Sequence, residues 1–153
     1  MSMDITISGD HEVIQNLRAL SVSVGARLVE RTGRAALKPV LADAKSLVPR
    51  DTGALKQSLG VKKAKRVPKG EVVLSVGARR GFEFTDAQGN KQDPFFYAGP
   101  VEYGHVIVWQ GKVIGKIAPA AFLRRAYERG RVKVVDDFAA ELSTRIEQEL
   151  ARS

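Results

Sequence analysis

The chain of 153 residues contains no cysteine. Disulfides, thiolate metal sites and cysteine nucleophiles are therefore excluded, although this absence fixes no compartment. Histidine is scarce as well: His11 and His105 stand far apart in different local settings. No G-x-S-x-G nucleophile elbow, Walker loop or dinucleotide glycine fingerprint occurs. No apolar run approaches membrane-spanning length, and the opening MSMDITISGDHE lacks the basic start and apolar core of a secretory signal. Internal repeats and low-complexity segments are missing too. Together these absences predict a soluble protein, made in a cytoplasm, with no enzymatic activity. A metal site would have to be assembled around Glu102 and His105, with Asp51 or Asp93, and a polar turn is the better reading of that set. The adjacent carboxylates Asp136 and Asp137 read as a helix start, where negative charge is favourable.

What is present suffices for one domain with a hydrophobic core, since 44% of the residues are hydrophobic. The formal net charge is +8, and it is unevenly placed. Residues 27–80 carry fourteen Lys and Arg against four acids, whereas residues 81–153 balance at ten each. A basic segment of that size suits a polyanion or an acidic partner subunit.

Periodicity predicts the elements. Asp4-Ile5-Thr6-Ile7 alternates as a first strand, and Asp10 is placed to cap a helix carrying Val13, Ile14, Leu17 and Leu20. A longer helix is expected from Ala26 to Val48, burying Val29, Ala36, Val40, Ala44 and Leu47, with a kink or break at Pro39. Pro49 ends it, and Asp51-Thr52-Gly53 makes a corner in which Gly53 supplies positive φ. Leu59 and Val61, then Val72, Leu74 and Val76, alternate across the turn Val67-Pro68-Lys69-Gly70 as an antiparallel hairpin. Residues 79–94 read as a long exposed loop, extended as a hairpin through Phe82 and Phe84. Further β regions are expected over Phe95–Val101 and Val106–Val113. Pro119 opens a helix with Phe122, Leu123, Ala126 and Tyr127. Gly130 is expected to interrupt it before a last helix carrying Val135, Phe138, Leu142, Ile146 and Leu150. The predicted class is α+β: a small, mostly antiparallel sheet packed with helices.

Arg27, Arg31, Arg34, Lys38 and Lys45 recur at steps of four, three, four and seven, which aligns them on one helical face. Three readings are open: a solvated face, contacts with acids on a neighbouring subunit, or contacts with DNA phosphate. The run Phe95-Phe96-Tyr97, read as strand, would put successive rings on opposite faces. It would then form no base-stacking platform, and one face would suit a partner.

Four segments occur in a telling order: AKSLVPRDTGALKQSL, VVLSVGA, FFYAGPVEYGHV and APAAFLRRAYE. In this order the chain resembles the head–tail joining, or tail-completion, proteins of long-tailed double-stranded-DNA bacteriophages, to which minor tail protein Z of phage lambda is similar in role. The motif positions are Pro49, Thr52, Gly53, Leu55, Tyr97, Glu102, Gly104, Phe122 and Leu123. His105 stands where the pattern carries Thr, and the 79–94 loop has no counterpart. The resemblance spans about residues 10–150. It implies a structural virion protein in a neck ring, without cofactor or small-molecule substrate. Its implied partners are further copies of itself (a hexamer ahead of a dodecamer), neighbouring neck proteins, the tail terminator, and genomic DNA passing through the lumen. No membrane is implied. Glu102 is expected to fix a turn or an intersubunit contact through charge-assisted hydrogen bonds. The rival reading is a small basic DNA-binding module acting alone.

Overall fold

A computed structural model describes residues 2–5 and 22–152. Helix α1, Val22–Leu47, is continuous. It buries Ala36, Leu37, Val40 and Ala44, while Val29 and Leu47 pack at the margin of the same core. The break expected at Pro39 does not occur. Lys38 and Pro39 face solvent, so water can reach the half-exposed turn where Ala35 loses its i+4 donor.

After the corner, the short helix α2 (Ala54–Ser58) leads into strand β2 (Leu59–Lys63), which pairs antiparallel with β3 (Leu74–Ala78). The predicted hairpin is present, with register running from Leu59↔Ala78 to Lys63↔Leu74. Strand β1, Ser2–Ile5, contains the first half of the strand predicted over Asp4–Ile7 and pairs with the other edge of β3, while Thr6 and Ile7 lie outside the described residues. Sheet order is β1-β3-β2. The helix predicted from Asp10 to Leu20, with His11, lies outside the described residues.

Helix α4 (Phe122–Leu150) runs unbroken for 29 residues, so Gly130 is no interruption. It packs antiparallel to α1. Gly130 meets Val40, and Phe138 approaches Gly33. Both helices lie on the sheet, α1 over β2 and β3 and α4 against β1. Val134, not Val135, takes the inward position beside Phe138, Leu142 and Ile146. A Cβ on Gly130 would stand 2.6 Å from Val40 Cγ2, which explains the glycine as a point of close helix approach. Gly130→Leu should therefore lower stability by about 1–3 kcal/mol through overpacking, although leucine is the better helix former. Urea unfolding reads this directly. An unchanged or higher midpoint would assign Gly130 no packing role.

The 79–94 segment contains a small hairpin, β4 (Phe84–Thr85) with β5 (Lys91–Gln92). Asp86 organises its turn, accepting hydrogen bonds from Gln88 N and Asn90 N at 3.0 and 2.8 Å. The strand expected at Phe95–Val101 is instead helix α3, Phe95–Tyr103. Asp93 Oδ1 accepts the Phe95 amide at 3.0 Å, and Pro94 stands at the helix start, where its missing N–H costs nothing. The region expected at Val106–Val113 is a hairpin, β6 (His105–Trp109) with β7 (Lys112–Ile117). Gln110 and Gly111, with φ of 47° and 77°, form its two-residue turn.

Candidate assembly surfaces

The corner after α1 docks on α3. Pro49 is exposed and Leu55 buried, while Gly53 has φ 80°. The Thr52 hydroxyl accepts the Ala54 amide at 3.3 Å and is a hydrogen-bond partner of Tyr97. Burial raises the Tyr97 phenol above its ordinary range, the Thr52 bond opposes this, and Asp51 and Asp93 reinforce it. Two segments some forty residues apart thus meet through Thr52 and Tyr97.

Glu102 forms the second junction. The residue is 2% exposed, and its carboxylate accepts the Leu123 and Arg124 amides at 2.8 and 3.0 Å. Its own carbonyl accepts the Ala121 amide at 3.0 Å, and Val101 accepts that of Ala120. Four backbone N–H groups at the start of α4 are thereby satisfied, two of them by an anion at the positive end of the helix dipole. Gly104 follows with φ 74° and ψ 169°. A Cβ there would lie 2.5 Å from the Ile117 carbonyl oxygen. Phe122 and Leu123 are buried directly beyond. Of the metal set considered from sequence, Glu102 is committed to these amides, and Asp93 accepts the Gly81 and Phe95 amides. His105 is exposed on β6.

The basic face divides. Arg27, Arg31 and Lys38 are exposed, whereas Lys45 is half-buried. Arg34 is part-exposed but turned towards the neighbouring strand. Its guanidinium donates to Glu30 at 2.9 and 3.0 Å and to the Val61 carbonyl at 3.0 Å. Lys63 reaches the same carboxylate at 2.7 Å, so this cluster ties α1 to β2. Beside it, a cleft of ≈630 Å³ between α1 and α4 is lined by Arg27, Arg31, Arg145, Arg152, Glu141 and Glu149, among others.

Hydrogen bonds from Lys63, then Arg34, hold the Glu30 carboxyl below the usual range. A depressed carboxylate stabilises the fold above its unfolded pKa, and that contribution fades as pH falls through the folded value. Because Lys63 and Arg34 are each 41% exposed, it should amount to less than about 1 kcal/mol. Glu30→Gln should thus be slightly less stable than the parent at pH 7. The difference should fade below about pH 4. Equal gaps at both pH values would remove the electrostatic account.

Beyond Gly104 the β6–β7 hairpin carries no buried residue from His105 to Pro119. Its large apolar side chains, Trp109 at 67% exposure foremost, face solvent on both sides of the ribbon. Sequence reasoning treated this stretch as an ordinary β region. The available signal was the density of Val, Ile and Trp without strict alternation.

One family, described as "Bacteriophage HK97-gp10, putative tail-component", matches residues 11–104. The chain belongs to that family. The HK97-gp10-like span contains α1, the corner, β2, β3, the small hairpin and α3, and it ends at the Glu102–Gly104 junction. The β6–β7 hairpin and α4 lie beyond it. The protein is accordingly a phage tail-component family member, a broader assignment than kinship with minor tail protein Z. No curated protein and no solved structure matches the chain. Among the described residues, no helix is long and apolar enough to cross a membrane.

Proposed function

We propose that this protein is a non-catalytic structural subunit of a long-tailed phage or prophage particle. In this reading it sits in a ring at the neck, completes the tail or joins it to the head, and surrounds the passing DNA. The observation that carries the reading is membership of a phage tail-component family. The latched body supports it, because the buried Glu102 is spent on backbone amides and Thr52 on Ala54 and Tyr97. A head-to-tail ring requires two different surfaces on each copy. Its partners would be further copies, with six favoured over twelve, neighbouring neck proteins and the tail terminator. Its place would be the virion, after synthesis in the host cytoplasm.

The test is to delete the coding sequence from the phage or prophage and supply a tagged copy. Without it, heads and tails should accumulate unjoined; with it, electron microscopy should find the tag at the neck. A tag at the tail tip, or normal numbers of joined particles after deletion, would overturn the reading. A second reading, a non-specific DNA-binding module, is favoured by the arginine-lined cleft between α1 and α4. It predicts duplex binding by a monomer that weakens steeply with salt. Arg27→Glu with Arg31→Glu should abolish that binding, whereas under the neck reading it should reduce the yield of joined particles.

A further inference from the structure

Among the described residues, exposed large apolar side chains fall into two groups. One comprises the β6–β7 hairpin with Phe96 and Tyr103 on α3, the helix that leads into it. The other is on α4, at Val132 (68% exposed) and Val135 (42%). On the hairpin, register puts Val106, Val108 and Val113 on one face, and Ile107, Trp109 and Ile117 on the other. A two-stranded ribbon with both faces bare is marginal by itself in water. Apolar patches of this kind mark contact surfaces.

Opposite charges are available beside the two groups, although basic residues also flank the α4 patch. Every charged side chain between His105 and Ile117 is basic, Lys112 and Lys116, and no acid occurs there. On α4, the exposed residues Glu128, Val132, Val135 and Ala139 recur at helical spacing along one flank of the buried stripe. Asp136 lies beside them, with Arg129 and Arg131 to either side. The α4 stripe spans about 16 Å at the helical rise. Strands of five and six residues span about 17–20 Å. Both patches are exposed in the isolated chain, so the hairpin does not cover its own α4 stripe.

We propose that the β6–β7 hairpin of one copy docks on the Glu128–Ala139 stripe of α4 of a second copy, head to tail. The proposal rests on the ring-subunit reading above and names the surfaces that would build the ring. Ile107 and Trp109, on one face of the ribbon, bury against Val132 and Val135, and Lys112, opposite Trp109 on that face, meets Glu128. Because the patches differ, the contact is heterologous and propagates until it closes.

Trp109 is the only tryptophan in the chain, so its fluorescence reports the contact without labelling. With rising protein concentration, its emission should shift to the blue as larger species appear in sedimentation velocity. Two variants alter only exposed side chains and should keep the parent's circular dichroism: Ile107→Ser with Trp109→Ser, and Val132→Glu with Val135→Glu. Each alone should weaken self-association about thirtyfold or more, as loss of a central anchor does. Mixed, they should form one-to-one pairs and nothing larger, since each retains the surface that the other lost. The absence of native cysteine permits an independent check. Oxidised Ile107→Cys with Val132→Cys should give a ladder of cross-linked oligomers, and either single substitution no more than dimers.

Association by the α4 variant equal to the parent's would overturn the proposal, by placing the hairpin's occupant elsewhere. So would a mixture without one-to-one pairs, or a parent that stays monomeric with solvent-like Trp109 emission. A blue shift on lipid vesicles without protein association would reassign the hairpin to a membrane surface. If the tagged protein sits in the neck while these tests fail, the docking is wrong and the functional reading stands. If they succeed while the tag is absent from particles, the docking stands and the reading falls.

Discussion

Gly104→Ala is expected to be the most damaging single-methyl change in the protein. The residue has φ 74° and ψ 169°, a region essentially reserved for glycine. The added Cβ would also meet main chain: Ile117 O at 2.5 Å, Pro119 N at 2.9 Å and Ala118 C at 3.1 Å. None of these atoms can swing aside as a side-chain terminus would. Strain of this kind costs roughly 1–3 kcal/mol before the clash is added. A loss of at least about 3 kcal/mol is therefore expected, or a fall in Tm of roughly 6–12 °C for a chain of this size. Gly99→Ala is the matched control, because a Cβ on that helical glycine meets nothing within 4 Å. It should be neutral or slightly stabilising. If the two variants melt within a degree or two of each other, the Gly104 junction is not the constraint described.

Glu102→Ala should cost a similar amount for a different reason. Removing the carboxylate leaves the amides of Leu123 and Arg124 without acceptors, the first of them buried. Each buried donor left unsatisfied costs about 1–3 kcal/mol. Loss of the anion at the start of α4 adds up to about 1 kcal/mol more. A total near 3 kcal/mol is expected in urea unfolding. Glu102→Gln should fall between, since one amide oxygen can still accept while the NH2 group opposes the second N–H. An alanine variant as stable as the glutamine variant would show that water serves these amides equally well. Hydrogen exchange offers a second readout, with protection lost first in the opening turn of α4.

The α+β class, helix α1 and the β2–β3 hairpin were legible because their apolar spacing is strictly 3.6 or strictly 2. The corner was legible from Pro49 and Gly53. Helix α3 was misread for a physical reason. Phe, Tyr and Val favour strands, and Asp93-Pro94 was read only as a loop ending, although acid then proline is also a helix opening. Pro39 and Gly130 were overweighted as breakers. The exposed turn at Pro39 can be hydrated, and at Gly130 tertiary contact with Val40 outweighs helix propensity. At the assembly surfaces, the basic residues were visible but not the diversion of Arg34 to Glu30, because that depends on a strand that Lys63 and Val61 bring alongside α1. Glu102 was expected to make charge-assisted bonds, but nothing local showed that its partners lie twenty residues ahead.

The junction at Gly104 has a consequence for how such a chain can change over generations. The hairpin leaves the body beside Ile117 and Pro119, and both of its ends are held by the same few backbone contacts around Val101 and Glu102. An element inserted between two neighbouring, independently fixed points contributes little to the core and can be lengthened, shortened or exchanged as a cassette. The body would keep its fold while the projecting ribbon acquired a different reach or a different fit. The core of the body and the exposed side chains of the ribbon are thus written in separate stretches of sequence.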